Sequence, residues 1–383
     1  MKRSVRRVLA IGVSGIAMVP VLGMAATVPG KLQQDSSAVA DVALDLELSN
    51  IAGGPVFGVV DAPNAEVLDV PTGLIIQKGT ATGAGYDADL AVTNVGTVTI
   101  HAVATDGGGP KAYAAFGLGG STAPAVQQRA AASGAGGIGS VLIDNTGTLN
   151  IVADALAEAV TATATATASG VSQYAYGSAG GSVALKNSST ASIAISAIAD
   201  ADASVEDASA EAFIEYGIYQ NAVADASGTG SASLDNAGTI GLTTSAHAVA
   251  AEDAIATASI EQGLELRSSG VSGATVALTN SGTLSEKVQA RAEAVNEGTA
   301  SATITTGILM KAVVSGEGDA GTVLTNTGTL NLSVIADSVS DDDQAEANSK
   351  IQIGIMQELA AAGGNATAIV TNDASGTMNF LVQ

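Results

Sequence analysis

The chain holds two histidines, 37 Asp and Glu, and no cysteine. An imidazole set between a serine hydroxyl and a carboxylate would make a nucleophilic triad. His101 and His247 stand in different repeats of the pattern described below, and no Ser lies in a nucleophile-elbow context. Their separation is equally unsuited to a shared metal, and without Cys there are no thiolate ligands or disulfides. Asp341, Asp342 and Asp343 offer carboxylate oxygens to Ca²⁺. No EF-hand loop or glycine-rich nonapeptide surrounds them, so they read first as a solvated turn and second as a calcium site. Polysaccharide hydrolysis would need a carboxylate pair across a groove. A lyase acting on acidic sugar would need Lys, Arg or a bound cation. The basic residues Lys111, Arg129, Lys186, Arg267, Lys287 and Arg291 read as scattered, and the carboxylates recur as turn decoration. The expectation is a protein that is not an enzyme and has no cofactor, with a solenoid carbohydrate-active enzyme as the alternative from another class. The stretch 105–137 reads as an irregular insertion carrying Lys111, Tyr113, Phe116 and Arg129. Loops extruded from a rigid scaffold are where recognition is placed, so these four are the candidate contacts; a flexible low-complexity bulge is the competing reading.

Lys2, Arg3, Arg6 and Arg7 precede an apolar run from Val8 to Met24, followed by Ala25 and Ala26. This is a secretory signal layout, and it assigns 1–25 to a signal peptide, 26–44 to an N-terminal cap or linker and 45–383 to a repeat domain. Removing the four leading basic residues leaves ten Lys and Arg against 37 Asp and Glu and moves the formal net charge from −23 to −27. Such a surface repels phosphate backbones and anionic lipid, so nucleic acid is not an expected partner. No later stretch reads as a membrane-spanning helix.

Self-similarity is the strongest signal in the chain. Asn-x-Gly-Thr-aliphatic occurs at Asn94, Asn145, Asn236, Asn280 and Asn326, with degenerate copies at Asn187 and Asn372 and a further one at Asn50. Successive spacings are 44, 51, 42, 49, 44, 46 and 46 residues. A second anchor, Gly before an aliphatic residue, keeps step at Gly73, Gly117, Gly170, Gly217, Gly263, Gly307 and Gly354. Each unit reads as three strands. The first follows the Gly-Thr corner, an acidic turn such as SVED (204–207) leads to the second, and the third leads into the next Asn.

Residues 161–169, TATATATAS, alternate with the period of a strand. Aligned on the glycine anchor, Thr167 falls in one column with Ile214, Ile260, Ile304 and Ile351, and Ala168 with Glu215 and Glu261. That register predicts Thr161, Thr163, Thr165 and Thr167 inward and the alanines outward, unless a one-residue bulge intervenes. First strands run from large to small and second strands from small to large, so alanines should meet near the acidic turn. The expected fold is all-β, a parallel β-solenoid (β-helix) of three-strand repeats about 46 residues long, with an Asn ladder at one corner. Two coils per repeat, or a meander with hairpin pairing, are the competing geometries.

The Asn-x-Gly-Thr repeats, signal layout, lack of Cys and Ala/Gly/Thr/Asp bias resemble the β-solenoid passenger regions of bacterial autotransporters and haemagglutinin-like adhesins, over about residues 45–383. The resemblance implies an exported surface or adhesin-like structural module, at the cell surface, outer membrane or outside the cell, with the periplasm also open. Its implied partners are host or neighbouring-cell glycans or proteins. A self-assembling surface-layer or filament component is the alternative within the structural class. The last repeat is followed by GTMNFLVQ and no membrane-barrel pattern, so another export route or a longer reading frame is expected.

Overall fold

A computed structural model describes residues 32–38, 44–50, 56–57, 68–70, 75–81, 84–85, 87–106, 110–118, 121–122, 124–341 and 344–383. The signal-like segment 1–25 lies outside these, as do Asp342 and Asp343. Asn tolerates tight corners and Thr extended backbone, so each Asn-x-Gly-Thr corner launches a strand. After Asn236 the first strand is Thr239–Ala250, the acidic turn leads to the second, Ala254–Gly270, and the third is Gly273–Asn280. Each pairs in parallel with its equivalents in the neighbouring coils, so three parallel sheets run the length of the molecule. Asn145 lies opposite Asn94 and Asn187, and the column continues through Asn236, Asn280, Asn326 and Asn372. One repeat is therefore one coil. Ile214, Ile260, Ile304 and Ile351 share a column. Within the segment read as cap or linker, Leu32–Ala38 pairs in parallel with Ile75–Ala81.

The core is a continuous stack of aliphatic side chains enclosed by the three sheets. A single coil has two open faces and cannot cover its own Ile and Leu; stacking covers them. Near the acidic turn the walls are lined by alanine, with Ala153, Ala155 and Ala157 from one strand and Ala162, Ala164 and Ala166 from the next all buried. Further along, Leu242 of the first sheet presses on Gly217 of the second, and Leu332 on Gly307, where any Cβ would collide with the leucine methyls. The recurring second-anchor glycine is thus a close-packing requirement.

The Thr-Ala alternation is oriented opposite to the expectation. Ala162, Ala164, Ala166 and Ala168 are buried, while Thr163 and Thr165 lie on the outer face with partly exposed side chains. The cause is the corner. Ala168 lies opposite Ile214, and Val171 lies opposite Ile218. Two residues, Ser169 and Gly170, therefore span a corner that takes three, Glu215 to Gly217, in the next coil. Alignment on the glycine carried that missing residue into the strand and reversed every side chain. The narrow space facing Ala153 and Ala155 admits methyl groups, and the alanines fill it.

The irregularity at 105–137 is also a corner feature. Strand Lys111–Leu118 keeps register with Ala162–Ala168, and Val126–Ala132 with Val171–Gly177. Between them Gly117–Leu118 pairs antiparallel with Ser121–Thr122. Ala125, not Gly117, precedes the rejoining strand, its N–H donating to Ser169 O at 2.9 Å.

Candidate functional site

The two histidines sit on the outer face of the first sheet, on strands Thr97–Asp106 and Thr239–Ala250. His101 Nε2 lies 4.0 Å from Asp154 Oδ2. Burial lowers its pKa, against the opposing pull of Asp154. His247 lies between Asp200, 3.7 Å from Nδ1, and Glu293, 3.3 Å from Nε2. Burial raises the Asp200 carboxyl, against the pull of His247. Among the described residues these imidazoles contact carboxylates and no hydroxyl nucleophile. The arrangement is a charged surface network that Arg291 extends, with its Nε 2.7 Å from Glu293. Among the described residues no group of three His, Asp or Glu is placed to hold a metal ion. Of the three aspartates weighed as calcium ligands, Asp341 is described, in a turn with its N–H on Ala294 O at 3.3 Å.

The four candidate recognition residues separate. Phe116 is 2% exposed and belongs to the core, so it is no loop contact. The strand parity that carries Ala112 and Ala114 inward carries Phe116 with them. Lys111 and Tyr113 lie on the outer face of the second sheet, opposite Thr163 and Thr165. Arg129 is on the same sheet beyond the corner, its guanidinium 5.2 Å from the centre of the Tyr174 ring. It is one member of a register column that reads Asp35, Lys78, Arg129, Tyr174, Asn221, Arg267, Lys311, Glu358. Two of the basic residues that look scattered in sequence, Arg129 and Arg267, thus share a column with Lys78 and Lys311, while Lys111, Lys186, Lys287 and Arg291 lie elsewhere. Arg267 lies over Tyr219 at 5.9 Å and pairs with the buried Glu265; Lys311 pairs with Glu358 at 2.7 Å.

The asparagine column is a continuous hydrogen-bonded ladder. Asn94 Nδ2 donates to Asn145 Oδ1 at 2.7 Å, and the pattern repeats through Asn187, Asn236, Asn280, Asn326 and Asn372 at 2.7–2.8 Å. The second proton of each donor goes to a first-strand carbonyl, as from Asn236 to Thr283 O at 3.0 Å. From Asn94 to Asn326 these amides are nearly or fully buried and bonded within the protein, so they hold the corner rather than present a ligand surface.

Two features escaped the sequence reading. The first is a glutamine ladder inside the second sheet. Gln128 Nε2 donates to Gln77 Oε1 at 2.7 Å, Gln173 to Gln128 at 2.8 Å, and Gln220 to Gln173 at 2.8 Å. Each also reaches across to a third-sheet carbonyl, as Gln173 does to Ala184 O at 3.0 Å. It ends at Gln220, whose Oε1 has no partner among the described residues because Leu266 and Met310 follow in the column. The signal was present as aliphatic-x-Gln at Val126, Val171 and Ile218, once per repeat. The second is Glu286, fully buried in an inward column between Leu242 and Leu332. Neither carboxyl oxygen has a hydrogen-bond partner among the described residues, and burial pushes its pKa up to about 8. It too could be read from the sequence, by placing TLSEKV under TIGLTT.

Among the described residues no helix is long and apolar enough to cross a membrane. Neither family models, nor curated proteins, nor solved structures give a match to this chain.

Proposed function

We propose that the chain is an exported, non-enzymatic β-solenoid that serves as a surface or adhesin-like structural module. The observation that carries this reading is the unbroken Asn ladder, a buried side-chain device spent on stiffness along one axis. A rod so built gives reach, and its acidic turns resist edge association. The leader-like 1–25 segment and the resemblance to autotransporter passengers support export to the cell surface or beyond. The test is accessibility on intact cells of the source organism. Antibody or protease applied from outside should reach the chain without lysis, and a chain reached only after lysis would refute the reading.

A further inference from the structure

The outer face of the second sheet carries a patch whose positive charge opposes the net charge of the chain. On the four strands Ile75–Ala81, Val126–Ala132, Val171–Gly177 and Ala208–Ala224, the register column through Lys78 and Arg129 continues into Tyr174 and Asn221. Its neighbours on either side are uncharged, among them Gln127, Tyr219 and Tyr176. No carboxylate stands on these strands' outer positions beyond the corner, in a chain where Asp and Glu outnumber Lys and Arg by 37 to 14. Four of those 14 basic residues, Lys78, Arg129, Arg267 and Lys311, share the column. Arg267 and Lys311 are paired with carboxylates, whereas Arg129 is exposed, rests on an aromatic ring and has no ion pair among the described residues.

The same four rungs carry the buried glutamine ladder on their inner face. Those amides tie the second sheet to the third through Ala91, Leu142, Ala184 and Ser233. The ladder stops at the rung after which Glu265 enters the outer face. A rigid backing and a carboxylate-free cationic, aromatic front therefore coincide, which is how a pre-organised surface reduces the cost of binding.

We propose that this track binds an anionic polysaccharide of the polyuronate class, laid along the rod axis; the proposal rests on the surface-module reading above. The Arg129 guanidinium is a planar fork that matches a sugar carboxylate. Tyr174, with the Arg129 guanidinium over its ring, sets apolar ring surface beside the cation for contact with a pyranose, and Tyr219 and Tyr176 flank it with phenolic hydroxyls. Rungs at about 4.8 Å form a track one side chain wide, which suits a linear polymer of flat rings better than a folded protein. Glu265 follows one rung beyond Tyr219, and Asp225 accepts from the Tyr176 hydroxyl at 2.9 Å at the track's edge, bounding it there with like charge.

The test is calorimetric titration of the whole chain with polygalacturonate, alginate and hyaluronan, and with methyl-esterified polygalacturonate as the uncharged control. Saturable binding is expected with at least one acid polymer and none with the ester. Arg129→Gln and Tyr174→Ala should each weaken it by about tenfold or more, with Arg291→Gln on the first sheet leaving it unchanged. Hydroxyl-radical footprinting of the unaltered chain should protect Tyr174 and Tyr219, which keeps the test independent of how the variants fold. No binding to any of the three acid polymers, binding indifferent to both substitutions in folded protein, or protection elsewhere only would overturn the proposal. A chain displayed on cells that fails these titrations would refute the glycan track alone; a chain inaccessible on intact cells would refute the surface reading.

Discussion

Glu286 sets its carboxyl against Gly263 in the notch that Leu242 fills against Gly217 one coil earlier. A carboxylate there is fully buried and meets no hydrogen-bond donor among the described residues, so it is held in the protonated form, with its pKa near 8 against an ordinary 4.5. Below 4.5 the group is protonated folded or unfolded and pH has no effect through it. Between 4.5 and 8 the folded chain binds the proton and the unfolded chain does not, so stability falls as pH rises. The slope is at most about 1.4 kcal/mol per pH unit. Urea midpoints measured at pH 5, 7 and 9 should decline for the native chain. Glu286→Leu, which restores the column residue, should raise the midpoint at pH 7 and 9 and flatten the decline. An unchanged pH profile in that variant would show that Glu286 is solvated.

The Asn ladder predicts a graded mutational series. Asn236→Ala removes donors to Asn280 Oδ1 and Thr283 O and strands a buried Asn187 donor. The expected cost is about 1–3 kcal/mol by urea unfolding. Asn372→Ala should cost less, because Asn372 is exposed and its neighbour Asn326 keeps a second acceptor in Thr377 O at 3.0 Å. Equal costs at the two sites would mean that the ladder's interior bonds carry no particular weight.

The gap in the glutamine ladder predicts non-additivity. Leu266→Gln would satisfy Gln220 Oε1 but leave its own acceptor facing Met310. Met310→Gln would accept from Gln357, whose Nε2 now lies 3.9 Å from the Met310 sulfur, but its donor would face Leu266. Each single change should destabilise. Together they join Gln220 to Gln357, and a double-mutant cycle should show a favourable coupling of about 1 kcal/mol or more. Strict additivity would contradict the ladder's continuity.

The orientation of the Thr-Ala strand gives a fourth prediction. Thr165→Ala changes an outer-face residue and should alter stability by no more than about 0.5 kcal/mol. Ala166→Ile places a branched chain in the narrow space against the first strand and should cost about 1–3 kcal/mol or more. A reversed ranking of the two thermal midpoints would restore the inward-threonine register.

The sequence carried the period, the Asn corner and the aliphatic columns because each recurs once per coil, and recurrence at a fixed spacing is what stacking requires. It did not carry the length of one corner. Ser169 and Gly170 do the work of three residues, and counting back from the glycine displaced Thr167 into the place of Ala168. Columns that mix residue types were also hard to see. Lys78, Arg129, Tyr174 and Asn221 differ in residue type, and only the register sets them in line. In sequence Glu286 is one carboxylate among 37, and only the register sets it between Leu242 and Leu332.

The central claim is that one repeat makes one coil and that all coils share an axis. The chain has no cysteine, so pairs introduced on the outer face of the third sheet can be spin-labelled without background. Ser140 and Thr275 are three coils apart in one column, and Ser140 and Thr367 five. Dipolar spectroscopy should give backbone separations of about 14 and 24 Å, growing by about 4.8 Å per repeat. Separations twice as large, or unrelated to the number of intervening repeats, would contradict the account.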